Sequence, residues 1–430
     1  MNYYKRTADA LLQDLLDAFG AGLIEGPKWC GKTTTASQLA NSILRMQDPS
    51  MREEYLATAK TKPSILLKGD TPRLIDEWQD APMLWDAVRT TVDDRQIPGQ
   101  FILTGSNAVD KSQIHHSGAG RIARLRMLPM SLWESQESTG EVSLKELFNN
   151  PDYDIDGKMS KMTVEDLIFA ASRGGWPASL LARTPKAQLL VAKNYVQTIC
   201  SDDVSGIDGK KRDAKLTSMI LRAYARNVST LVKKKSLLDD VTSSGEVSCH
   251  VDTFDDYVSA LEKLFVIQNI SAWCPAIRSK TAIRSSVKRC FCDPSIPIAL
   301  LGLSPESLSM QLRTFGFIFE QMCIRDLKAY TIDLNSHVSY YHDRYDLEAD
   351  IVLHLEDGRY ALIECKLGSS EIDEGAKHLL ELKRLIQEHN KTEKQVPIRE
   401  PDLLIVMTGG TMAYSRPDGV KVIPLACLKD

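Results

Sequence analysis

No run in this 430-residue chain approaches roughly 18 consecutive apolar residues, so no membrane-spanning helix is expected. The opening stretch, MNYYKRTADALLQDLL, is amphipathic and contains acids, and so lacks the apolar core of a signal peptide. Cysteine is too scattered for a framework. The nine, at positions 30, 200, 249, 274, 290, 292, 323, 365 and 427, are odd in number and form neither a disulfide pattern nor paired C-x-x-C zinc knuckles. Cys290-x-Cys292 reads as two buried strand residues. A reducing, cytoplasmic setting is expected. Charge of one sign is missing too: 53 Lys and Arg against 57 Asp and Glu leave a net −4. That excludes a protein that coats nucleic acid wholesale and leaves room only for local basic patches. The length suggests about two to four domains of an ordinary globular kind.

What is present begins with Leu23 to Thr35, LIEGPKWCGKTTT. Gly26, Pro27, Lys28, Trp29, Cys30, Gly31, Lys32 and Thr33 fill the G-x-x-x-x-G-K-[ST] pattern. Its glycines let backbone N–H groups curl around phosphate oxygens, its lysine reaches the β- and γ-phosphates, and the Thr33 hydroxyl binds Mg²⁺. Thr34 extends the same wall. The context fits: Ala21 to Glu25 reads as a short buried strand, and Thr34 to Leu44 as a helix with Ala36, Leu39, Ala40 and Ile43 on one face. A helix start aimed at phosphates is an anion site. ATP with Mg²⁺ is the expected ligand. Upstream, Leu11, Leu12, Leu15, Leu16 and Phe19 share one face of a lead-in helix.

A polar stretch and a strand-like Ser64 to Leu67 precede Pro72-Arg-Leu-Ile-Asp76-Glu77. Apolar residues ending in Asp-Glu form a Walker B arrangement, in which Asp76 holds the Mg²⁺ shell and Glu77 polarises the attacking water. Phe101-Ile-Leu-Thr104-Gly-Ser106-Asn107 is a further apolar strand ending in small polar residues, and Ser106 and Asn107 are favoured as γ-phosphate or water contacts. Among Arg121, Arg124 and Arg126, Arg121 follows a glycine at a loop-to-strand boundary. It is the candidate arginine finger, in cis or from a neighbour.

GPKWCGKTT, LIDEWQ, FILTGSN, GRIARLRMLP and Arg173-Gly-Gly175-Trp-Pro177 together resemble the bacterial and archaeal ATPases of the AAA superfamily that carry a C-terminal nuclease-like domain. The resemblance spans essentially the whole chain in order. It implies an α/β protein: a parallel P-loop sheet over 1–135, a helical lid over 136–210, a winged-helix segment over 211–300 and a restriction-endonuclease-like domain over 301–430. Within it, the Gly-Gly-Trp-Pro segment resembles a lid motif that contacts nucleotide in related signalling ATPases, which makes Pro177 a nucleotide-site candidate.

Residues 164 to 204 read as helical, with Leu189, Leu190, Ala192 and Tyr195 as core. Between 212 and 270, Ile220, Leu221 and Tyr224 mark one helix, and Leu237 and Leu238 a second. A third is capped by Thr253 and buries Tyr257, Val258, Leu261, Leu264 and Phe265. Its first turn carries Asp252, Asp255 and Asp256, which would repel phosphates, so a packing or protein-binding role is favoured over nucleic-acid reading. The next stretch is different. Arg278, Lys280, Arg284, Lys288 and Arg289 have no acid among them, and 278–289 is a candidate track for a nucleic-acid backbone.

The last third holds a second constellation. A helix over 315–330 buries Phe315, Phe319 and Met322 and carries Glu320 on its flank. Glu348 to Leu355 and Tyr360 to Lys366 read as paired strands. A three-residue loop with Gly358 left-handed sets Leu355 opposite Arg359 and hence Asp350 opposite Glu364, with Glu364 and Lys366 on one face. Facing carboxylates can hold a divalent metal, and a lysine beside them can stabilise a phosphorane-like transition state. Asp350, Glu364 and Lys366 resemble the PD-(D/E)xK nuclease motif, with Glu320 as its helical acid, although Ala349 stands where that family has proline. Asp402 to Thr408 and Val420 to Leu428 read as closing strands. Two functions follow: an ATPase that gates a Mg²⁺-dependent nuclease, or a nucleotide switch whose nuclease-like domain docks a protein partner without cutting; a homo-oligomer, with arginines donated between neighbours, is a further expectation of the resemblance.

Overall fold

Alternation of apolar side chains decides both faces of the first sheet. The computed structural model describes residues 3–105, 116–243, 245–273, 286–343, 345–392 and 397–430. In it β1 (Ala21–Glu25), β2 (Ser42–Arg45), β3 (Arg73–Asp76), β4 (Phe101–Gly105) and β5 (Ile122–Arg126) lie in the order β2-β3-β4-β1-β5, all parallel. Leu23, Leu44, Ile75 and Leu103 face one side, against α3 (Arg52–Thr61) and α4 (Met83–Arg95). Ile24, Leu74, Ile102 and Leu125 face the other, against α1 (Ala8–Ala18) and α2 (Lys32–Leu39). The central strands are covered on both faces, as parallel sheets require.

Two local expectations fail here. The P-loop helix stops at Leu39, because Ala40 turns extended at φ −79° and ψ 130°. Ile43 and Leu44 leave it to form β2, where they pair with Leu74 and Ile75 and enter opposite cores. Ser64 to Leu67 is not a strand either: Pro63–Ile65 is a 3-10 turn, and Arg73–Asp76 supplies the sheet.

Beyond the sheet come β6 (Val142–Ser143), α5 (Leu144–Asn149), α6 (Val164–Arg173), α7 (Pro177–Leu180), α8 (Pro185–Thr198) and α9 (Val204–Gly206). Ala192 and Tyr195 are core as expected, whereas Leu190 is 53% exposed. Three helices follow, α10 (Ala214–Arg226), α11 (Lys234–Thr242) and α12 (Val251–Lys263), then antiparallel bridges joining Ile267 to Phe291 and Ile270 to Lys288. Since α12 starts at Val251, Thr253 lies inside the helix instead of capping it. Two of its three early acids are paired within the chain, Asp255 with Lys234 at 2.9 Å and Asp256 with Arg212 at 2.9 Å.

After α13 (Ser295–Leu301), α14 (Pro305–Ser309) and α15 (Leu312–Tyr330) comes a second sheet. Its strands are β7 (His337–His342), β8 (Glu348–His354), β9 (Tyr360–Lys366), β10 (Leu403–Thr408), β11 (Tyr414–Ser415) and β12 (Lys421–Pro424), ordered β11-β12-β10-β9-β8-β7. β7, β8 and β9 run antiparallel, while β9, β10 and β12 are parallel, with α16 (Ile372–Thr392) between β9 and β10 in the chain. The β8–β9 register is the one the loop argument requires. Gly358 sits at φ 88°, Leu355 N donates to Arg359 O at 2.8 Å, and Ile351 faces Ile363. β13 (Leu428–Lys429) then returns to pair with β6. One apolar core draws on residues from Leu132 to Leu428, and a separate one, formed by Val352, Leu362, Leu404 and Val406 with Ala376 and Leu379 of α16, covers the other face of the second sheet.

Candidate nucleotide site and carboxylate cluster

Parallel strands deliver their C-terminal ends to one edge of the first sheet, and the P-loop follows β1 there. Gly26 is required twice over: its φ is 152°, and a Cβ would lie 2.2 Å from Met127 O. Gly31 stands before α2 at φ 101°. Lys32 Nζ donates to the carbonyls of Gly26 and Pro27 at 3.0 and 2.8 Å. Thr33 Oγ1 donates to Asp76 Oδ1 at 2.7 Å, and Thr104 Oγ1 donates to the same oxygen at 2.6 Å. The hydroxyl and carboxylate that a Mg²⁺–triphosphate needs are therefore side by side. This donor set fits the ion. Glu77 follows in a left-handed conformation at φ 57° and is bonded by the Gln79 amide. Burial raises its pKa above the ordinary glutamate value, against the Gln79 bond and the Lys32 charge.

These groups open into a cavity of about 1260 Å³, whose far wall is the helical segment after the sheet. Pro177 lies there, 3.4 Å from where a Gly31 Cβ would project. Lys28 Nζ reaches across to Asp203 at 2.6 Å. Trp29 is 42% exposed and meets the Tyr195 ring at a centroid distance of 5.5 Å. The segment before Pro177 is locked by backbone: a Cβ on Gly175 would fall 2.2 Å from Met130 O, and Gly175 N donates to Asp293 Oδ2 at 2.9 Å. Ser106 and Asn107 lie outside the described residues.

Arg121 is misplaced for a finger in its own chain. It precedes β5, whose Ile122 pairs with Ala21 at the opposite end of β1 from the P-loop, and it is held by Asp93 at 2.7 Å. Sequence reasoning missed Arg6. Its buried guanidinium donates to Cys30 O at 2.8 Å, to Leu128 O at 2.7 Å and to Glu134 Oε1 at 3.0 Å, pinning the P-loop backbone to the chain beyond β5. No local pattern marks a pair 128 residues apart.

With that geometry in place, family models match three successive stretches. Residues 19–136 match an AAA domain, 164–307 a domain of unknown function (DUF8612), and 315–428 another domain of unknown function (DUF4143). The chain carries an AAA domain. Uncharacterized proteins of Mycobacterium tuberculosis and Mycobacterium bovis are each 24% identical over 366 residues, covering 83% of this chain and 72% of the relative. A Walker-type ATPase of Pyrococcus abyssi aligns at TM-score 0.41 and 13% identity, over 70% of this chain and 96% of that one. A signal-transduction ATPase with a tetratricopeptide-repeat sensor from Pyrococcus horikoshii aligns at TM-score 0.19 and 12% identity, over 75% of this chain and 47% of that one. Among the described residues no helix is long and apolar enough to cross a membrane.

Far from the AAA domain in sequence, the β8–β9 hairpin and α15 bring Glu320, Asp350, Glu364 and Lys366 together, but a fifth residue enters. Lys288 Nζ lies 2.5 Å from Glu320 Oε1 and 3.7 Å from Asp350 Oδ1, and donates to Asp350 O at 3.0 Å. Asp350 Oδ2 accepts from Cys365 N at 2.9 Å. Glu364 is fully buried, with Lys366 Nζ 3.1 Å from Oε2 and His378 Nδ1 3.8 Å from Oε1. Burial raises Glu320 to about 8 despite Lys288, and burial with the Asp350 charge raises Glu364 to about 9. Among the described residues no group of three or more Asp, Glu, His or Cys is placed to hold a metal. The expected metal set of Glu320, Asp350 and Glu364 is therefore corrected: an ammonium occupies the space between the first two. Arg278, Lys280 and Arg284 lie outside the described residues. Lys288 and Arg289 turn inward, the latter donating to Val232 O and Tyr224 Oη.

Proposed function

We propose that this chain is an ATP-hydrolysing switch whose C-terminal domain docks a partner and does not cut nucleic acid. The carrying observation for the ATPase is the 2.7 Å bond between Thr33 Oγ1 and Asp76 Oδ1 at the mouth of the P-loop. Thr33 and Asp76 would hold Mg²⁺, which would supply charge neutralisation to the bound triphosphate. Gly26 to Thr34 wrap those phosphates, Pro177 closes the opposite wall, and Glu77 takes a proton from water. Arg121, excluded in cis, serves only if a neighbouring copy presents it, which fits a homo-oligomer. Three helices followed by an antiparallel pair support the winged-helix reading of 211–300, here as a packing module. The αβββαβ order of α15 to β10 supports a restriction-endonuclease-like fold. Closure of its acids by Lys288 favours docking over the Mg²⁺-dependent nuclease reading.

The test is Glu77→Gln. We expect it to bind ATP as the parent chain does and to hydrolyse it about 10²–10⁴-fold more slowly. Because the base works ionised and burial raises its pKa, the acid limb of the parent kcat/KM profile should lie above the ordinary glutamate range and vanish in the variant. Undiminished turnover would refute the assignment.

A further inference from the structure

A second cavity, about 760 Å³, lies where β5, the three-helix segment and the end of α15 meet. It contains no P-loop residue, and that volume falls within the range of roughly 300–1,000 Å³ typical of small-molecule pockets. Its walls carry more cations than acids, and most of these charges are already matched. Lys234 pairs with Asp255 at 2.9 Å, and Arg124 with Glu25 at 3.1 Å. Arg289 spends its donors on Val232 O and Tyr224 Oη, while Glu262 accepts from the Asn269 amide at 3.1 Å.

Two cations are left. Arg126, at the end of β5, lies over the Phe265 ring at 5.2 Å, and Lys328 projects from the last turn of α15. Among the described residues neither side chain makes an ion pair or a hydrogen bond. Burial and the Arg126 charge both lower the Lys328 pKa, so the two repel each other across the cavity. The dipole of α15 accounts for a lysine in its last turn, but not for an arginine from another element aimed at the same space. Lys328 is half-buried, so its unmatched charge costs free energy that an anion would recover, and Arg126, exposed at the mouth of the cavity, adds a second positive charge to the same space.

We propose that this cavity binds a small phosphorylated molecule, its phosphate between Lys328 and Arg126. A phosphate monoester carries about −1.5 to −2 at neutral pH and matches a guanidinium–ammonium pair better than a carboxylate does. Phe254 and Val258 of α12 offer an apolar wall to whatever the phosphate is attached to. The inference does not rest on the ATPase reading, because none of its residues belongs to that site.

Calorimetric titration of the full-length Lys32→Ala chain, in which the P-loop lysine is gone, with inorganic phosphate and with AMP tests it. We expect both to bind, AMP more tightly if the apolar wall contributes. Adding Lys328→Met should weaken each by about tenfold or more, while adding Lys145→Met, an exposed lysine paired with Asp333, should change neither. Without ligand, Lys328→Met should melt no lower than its parent, since it removes an unmatched charge and keeps the aliphatic stem. Binding of neither probe to Lys32→Ala, or equal binding with and without Lys328→Met, overturns the proposal.

Discussion

At the scale of single residues, the carboxylates are where sequence reading was strongest and still incomplete. Asp76 and Glu77 stand out in the sequence because apolar residues run straight into a pair of acids, and their geometry at the P-loop needs only the strand that carries them. Asp350 and Glu364 were paired by counting residues around Gly358, and the observed Ile351–Ile363 register agrees. Their ionisation was not legible, since it depends on burial. Glu364, 0% exposed and facing Asp350, Lys366 and His378, is pushed from 4.5 to about 9. The unfolded chain releases this proton near the lower value and the native chain near the higher. The native state therefore binds more protons in between, and stability falls as pH rises through that window. Melting temperature should drop between about pH 5 and pH 8, and Glu364→Gln should flatten the drop. An unchanged slope in the variant would show that the carboxyl ionises normally in the fold. Glu320, raised to about 8, supplies part of the same slope.

At the scale of elements, the P-loop is held from outside its own motif. Arg6, just before α1, ties the Cys30 carbonyl to Leu128 and Glu134, with the two charged side chains 4% and 2% exposed. Burial works against the Glu134 charge, yet Arg6 and the backbone N–H groups of Ser131 and Thr7 hold its pKa below the usual value. Removing one partner strands the other, so Arg6→Met should cost about 3–5 kcal/mol of stability and loosen the loop. Denaturant unfolding gives the first number, and ATP affinity at a temperature where the variant remains folded gives the second. A variant with native stability would show that the pair is dispensable. The misassigned helix end at Leu39 has the same character. Ala40 to Leu44 carries helical spacing, but Ile43 and Leu44 gain more by entering two different cores as an edge strand than by extending one helix face.

At the scale of the whole molecule, three family matches succeed one another along the chain, over 19–136, 164–307 and 315–428. One apolar core bridges the last two of these stretches, which divide between 307 and 315, close to the expected boundary near 300. Lys288 shows what that continuity does. It belongs to the bridged pair after α12, and it closes an acid cluster built by α15 and β8. Lys288→Met should leave Glu320 and Asp350 uncompensated, lowering the melting temperature. Mn²⁺ should then raise it in the variant by more than any shift the parent shows through Thr33 and Asp76, because in the variant the acid cluster has room for a cation. Mn²⁺ stabilising the parent as strongly would mean that the lysine does not exclude metal, and would return the nuclease reading.

The P-loop and its acidic strand were legible in the sequence, because recognising them needs only eight adjacent residues and an apolar run ending in Asp-Glu. The sequence also determined the β8–β9 register, since turn chemistry and period-two alternation are local. Tertiary structure alone decided which charges meet. Arg6 reaches Glu134, Lys288 reaches Glu320, and Arg121 is carried away from the site its loop position suggested. Coulomb energy depends on separation and burial, and neither is a property of spacing along the chain.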